Sequence, residues 1–160
     1  MTGVQTCALP ISLEHGAGAS IGIQEVQESC AGSAERKLWT LADALVAGDP
    51  KASMRALVEL RQQGERLPGL LYNMVRRLRD ALSIAEALAA DQSPAQIKKG
   101  LRMPGFAADR LIADAGRRDV EALRGALVLM ADLEAESRGH GGGGFDEDTA
   151  AVRAVIGAAS

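Results

Sequence analysis

The sequence predicts an all-α domain, a compact bundle of about six to seven helices. Three observations carry that expectation. Hydrophobic residues reach 47% of the chain while aromatics supply only 2%, so Ala, Leu, Val and Ile must fill the core. Ala and Leu are strong helix formers, and the aromatic and β-branched residues that favour strands are scarce. Gly and Pro punctuate the chain where helices would stop and start, and between them apolar residues recur every three or four positions.

Each element follows from that punctuation. Residues 15–23 are Gly-rich and lack a helical period, which reads as loop. Ile23 to Cys30 is expected to form a short helix closing a preceding domain, with Ala31-Gly32-Ser33 as the junction. Leu38 to Ala47 reads as a helix with Leu38, Leu41, Ala42 and Leu45 on one face and Gly48 as its stop. Asp49 and Pro50 supply an N-cap and a first-turn proline for a second helix, which runs to about Gln63 with Met54, Leu57, Val58 and Leu60 as its buried stripe. A long helix opens at Pro68 and continues towards Ala90. Its Leu70, Leu71, Met74, Val75, Leu78, Leu82 and Ala85 fall within an arc of roughly 140° at about 100° per residue. Ser93-Pro94 begins a short helix that ends near Gly100. Another is expected from Pro104 to Ala115, with Phe106, Leu111 and Ile112 inward. Asp119 is expected to cap a helix carrying Val120, Leu123, Leu127, Met130 and Leu133. Arg138 to Gly144 reads as a flexible tether. Asp146 then caps a last helix that buries Val152, Val155 and Ile156.

Met1 to Ile11, MTGVQTCALPI, matches a one-frame translation of a common sequencing-library adapter and is set aside as a non-native scar. On that reading the native chain enters near Ser12 from an upstream part that is missing, residues 12–34 end a preceding domain, and residues 35–160 form the helical domain. With Cys7 in the scar, Cys30 is the one native thiol; no internal disulfide is expected, which fits the cytoplasm. No apolar run approaches the roughly 20 residues that span a bilayer. A net charge of −3 argues against a dedicated nucleic-acid binder.

Several strings resemble catalytic motifs without their context. Gly18-Ala19-Ser20-Ile21-Gly22 fits a nucleophile elbow and His140-Gly141-Gly142-Gly143 an oxyanion-hole string. The elbow needs a buried strand before its serine, and the oxyanion string should precede it rather than follow. His140 with Asp146, Glu147 and Asp148 lacks a rigid frame for a metal, and a capped helix accounts for the acids. Basic clusters at Arg76-Arg77-Leu78-Arg79, at Lys98-Lys99 with Arg102, and at Arg117-Arg118 read as solvated faces or interface rims. There is no GxxxxGK[ST] string, and the sequence shows no catalytic constellation, cofactor site or metal site.

From Trp39 onward the order of elements resembles the C-terminal collar domain of the bacterial DNA polymerase III delta subunit. The residues that carry the resemblance are Leu41-Ala42-Asp43-Ala44-Leu45 followed by Gly48-Asp49, then Ala56-Leu57 with Leu60, Gly64 and Pro68. Leu70-Leu71 and the arginine-rich Val75 to Arg79 are similar to that family's long helix, and Leu123 to Ser137 to its penultimate one. Glu136 stands where the family commonly has lysine, and the glycine run 141–144 lengthens the last loop.

The resemblance implies a clamp-loader component in DNA replication. The clamp-opening surface would lie in an N-terminal module that this chain lacks. The collar would join the delta-prime and motor subunits into a pentameric ring. DNA would be met only through the complex, with no membrane and no small-molecule substrate. The DNA-directed DNA polymerase (nucleotidyltransferase) chemistry of such a holoenzyme belongs to a different polypeptide. Such a bundle needs one stripe for its own core and a second apolar patch for neighbours. Leu71, Met74, Leu78, Leu127 and Met130 are the candidate interface residues. The alternative reading is a free-standing helical adaptor or regulator of other proteins.

Overall fold

Asp49, Ser93 and Asp146 each start a helix by accepting a backbone N–H that the helix itself cannot satisfy. Asp49 Oδ1 takes the amide of Ala52 at 2.9 Å. Ser93 and Gln96 cap reciprocally, each side chain accepting the other's backbone N–H. Asp146 accepts the Thr149 amide at 3.0 Å and its hydroxyl at 2.7 Å. Asp119 stands at an N-cap position but makes no side-chain capping bond, contrary to expectation.

The computed structural model describes residues 36–140 and 146–160. Within them are seven helices and no strand: α1 over 36–47, α2 Pro50–Gln62, α3 Leu67–Ala89, α4 Pro94–Gly100, α5 Gly105–Ala115, α6 Val120–Ser137 and α7 Glu147–Ala159. The all-α expectation holds. The expected helix over Ile23 to Cys30, the scar, Ser20, and most of the expected tether lie outside the described residues.

Four helices close on a residue in the left-handed region: Gly48 (φ 69°), Gly64 (φ 85°), Asp91 (φ 59°) and Gly139 (φ 81°). In each case the following amide reaches back to a carbonyl of the last turn, as in Asp49 N–H to Ala44 O at 3.0 Å. Gly48 has a second reason to lack a side chain. A Cβ there would run into the Arg118 guanidinium, which donates to Ala158 O at 3.0 Å and Ala159 O at 3.3 Å. Arg118 therefore ties the end of α1 to the end of α7 and gives a cationic cap to the carbonyl end of a helix.

Leu38 to Ser160 forms one unit. Its centre is α3, which packs against α4, α5 and α6; α6 packs on α7, and α7 on α2. Leu41 and Leu45 of α1, Leu57 and Leu60 of α2, and Leu70, Met74 and Leu78 of α3 share one core with Leu123 and Met130 of α6. The buried face of α7 is mostly alanine, which lets its backbone approach α6 closely; a Cβ on Gly157 would sit 3.1 Å from Leu129.

Four residues expected inside lie at the surface. Met54 and Val58 are each 40% exposed, because α2 buries Ser53, Ala56, Leu57 and Leu60, and the two larger residues flank that stripe. Phe106 is 80% exposed. It falls about 200° around α5 from Ala108, on the side away from the Ala108, Leu111, Ile112 and Ala115 stripe. Ile156 sits at the edge of the α7 stripe that centres on Ala151 and Val155.

Candidate functional site

The first polar feature of the interior joins the two sequence stretches that carry the family resemblance. Asp43 lies on α1 and Arg77 on α3, and both face the space between those helices. Arg77 Nε donates to Asp43 Oδ1 at 2.7 Å, and Nη2 lies 2.6 Å from the same oxygen. The guanidinium carbon sits 5.5 Å from the centroid of the Trp39 ring, in the range where a cation is drawn to an aromatic face. Arg77 is only 6% exposed, so the expected solvated cluster 76–79 is split. One of its arginines is structural, and Arg76 and Arg79 face solvent. Arg77 continues the spacing of Leu70, Met74, Ala81 and Ile84, which is the available signal for its burial.

Lys98, Arg117 and Arg118 of the other basic clusters are drawn into intramolecular contacts as well, while Lys99 and Arg102 are exposed. Lys98 pairs with Asp109 at 2.7 Å, Arg117 with Asp114, and Arg118 with the α7 carbonyls already described. Nothing in the sequence near Arg118 announces its role, because its partners lie 40 and 41 residues away.

No three His, Cys, Asp or Glu side chains gather as a metal site among the described residues. Asp146 caps α7, while Glu147 and Asp148 hold Arg61 of α2 at 2.7 and 2.6 Å. Those three acids are thus engaged in positioning α7. His140 is exposed at the end of α6, and Gly141 to Gly143 lie outside the described residues, as does Ser20.

Of the five candidate interface residues, Leu71, Met74, Leu78 and Met130 are at most 4% exposed and belong to the domain's own core. Leu127 is half-buried and packs against that core. Leu71 alone among the five also lines a surface groove between α3 and α6. That groove, about 700 Å³, runs between the first half of α3 and the last turn of α6. Pro68, Leu71, Tyr72 and Val75 give it an apolar floor. Arg76, Arg79 and Asp80 border it on α3, and Glu134, Ser137 and Arg138 border it on α6. Tyr72 is 66% exposed, a high value for an aromatic.

Comparison with curated proteins and with solved structures gives no match. The family model described as DNA polymerase III delta subunit, C-terminal domain, matches residues 35–140, the stretch that holds α1 to α6 and the buried Asp43–Arg77 pair. On that match the chain belongs to the family defined by the C-terminal domain of the DNA polymerase III delta subunit.

Proposed function

We propose that this chain acts as an assembly module of a clamp loader, joining the collars of neighbouring subunits into the ring that loads the sliding clamp during DNA replication. Its contribution through this domain is to assembly. The observation that carries this reading is the family match over residues 35–140, a span that coincides with a continuous run of helices. The surface is consistent with it: the described residues offer a broad groove between α3 and α6. The partners are the delta-prime and motor subunits, with DNA reached through the assembled complex and the cytoplasm as the place of work.

The test mixes the full chain with purified delta-prime and motor subunits and follows mass by size-exclusion chromatography with light scattering. Co-elution in a complex of defined stoichiometry is the expected result. A folded, monodisperse chain that elutes alone beside both partners would overturn the assignment in favour of a free-standing adaptor.

A further inference from the structure

The two faces of α3 are chemically unlike. The inner face is spent on the core and on Asp43. The outer face presents Tyr72, Arg76 and Arg79 at intervals of four and three residues, which places them in one row along the helix. Arg76 and Arg79 have no ion-pair partner among the described residues, whereas Arg138 across the groove is paired with Glu134 at 2.6 Å. Tyr and Arg are the residue types that most often dominate binding energy when a partner covers them. Beneath the row lies the apolar floor of the groove, closed at the far side by the last turn of α6.

We infer that this α3/α6 groove seats an acidic amphipathic helix from a neighbouring protein of the assembly. The inference rests on the assembly reading and names the surface that performs it. An apolar stripe on the incoming helix would cover Leu71, Tyr72 and Val75, and carboxylates along its edge would meet Arg76 and Arg79 with charge-assisted hydrogen bonds. Charge selects protein over nucleic acid as the occupant. Phosphate backbones demand several convergent cations and single strands several stacking rings. This groove offers two free arginines and one aromatic ring, with the carboxylates of Asp80 and Glu134 beside them.

The test compares the parent chain with Tyr72→Ala/Arg76→Glu/Arg79→Glu in binding to purified delta-prime and motor subunits by biolayer interferometry, with Phe106→Ala, outside the groove, as the control. The triple variant is expected to lose at least about tenfold in affinity, and the control to match the parent. All three altered side chains point outward, so the melting temperature is expected to hold. If the variant does not fold, the parent decides: its affinity should fall about tenfold between about 0.05 and 0.5 M NaCl. Unchanged affinity in a folded variant, or salt-independent binding by the parent, overturns the groove while leaving assembly intact. Loss of oligodeoxythymidine binding in the variant, with binding to both protein partners unchanged, also overturns it and makes the face a nucleic-acid surface. A parent chain that binds neither partner removes the assembly reading and this inference together.

Discussion

The Asp43–Arg77 pair and the Arg61–Glu147/Asp148 cluster join helices distant in sequence through the same chemistry at the same range, 2.6 to 2.7 Å. Their surroundings differ. The side chains of Arg77 and Asp43 are 7% and 18% exposed, and an indole ring lies against the cation. Arg61 is 24% exposed and its acids 46% and 63%. In the first region water cannot replace a missing partner; in the second it can. Distance alone therefore says little about what either contact contributes, and burial decides.

The largest expected effect comes from breaking the inner pair. Arg77→Ala leaves the Asp43 carboxylate largely buried without its cation, and should cost about 3–5 kcal/mol in urea unfolding. The double change Asp43→Leu/Arg77→Met replaces the pair with apolar groups of similar bulk and should recover most of that loss. A double variant as unstable as the single would mean that Trp39 stacking, not charge, carries the contact.

Arg61→Ala on the outer cluster should cost about 1 kcal/mol or less, after allowing for solvent screening. Salt sharpens the contrast: at about 1 M NaCl the difference between parent and Arg61→Ala should shrink, while that between parent and Arg77→Ala persists. Equal salt sensitivity of the two differences would show the inner pair to be wetter than its burial implies.

The smallest effect is a pH step at the start of α7. The Thr149 amide, and after it the Thr149 hydroxyl, hold the Asp146 carboxyl below its ordinary value. A lowered folded value means that the cap stabilises fully above the unfolded pKa of about 3.9 and loses this contribution as pH falls through the folded value. Thermal melts from about pH 5 downward should therefore fall more steeply for the parent than for Asp146→Asn, which cannot titrate. Parallel curves would rule out a role for this carboxylate in acid sensitivity.

The helices are legible in the sequence because Gly48, Gly64, Pro50, Pro94 and the capping side chains act locally, within a turn of where they stand. Which face each helix buries is less so. The stripe of α2 turns on Ser53 and Ala56, two small residues that a search for large apolar side chains passes over in favour of Met54 and Val58. Residue type alone sends Phe106 inward, although its helical phase places it outward. The interface presents the opposite problem. Met74, Leu78 and Met130 have the composition of a contact patch, but the bundle uses them itself, and the open groove is marked instead by Tyr72 and two arginines that read as a solvated face. Arg77 is set apart from Arg76 and Arg79 by helical phase, since it continues the Leu70, Met74, Ala81 and Ile84 stripe, but its partner Asp43 comes from another helix.

The placement of α7 also sets a schedule. Arg61 finds its partners 86 and 87 residues later in the chain, and α2 packs on a helix that is made well after it. At a synthesis rate of roughly 5–20 residues per second, α2 emerges about 4 to 17 seconds before the helix that covers it. During that interval Leu57 and Leu60 lack the α7 side of their packing, and Arg118 has no α7 carbonyls to hold. The nascent domain thus passes through an open state with an apolar flank, the kind of surface that chaperones and misassembly compete for. Helix α7, although it lies beyond the family match, closes that window.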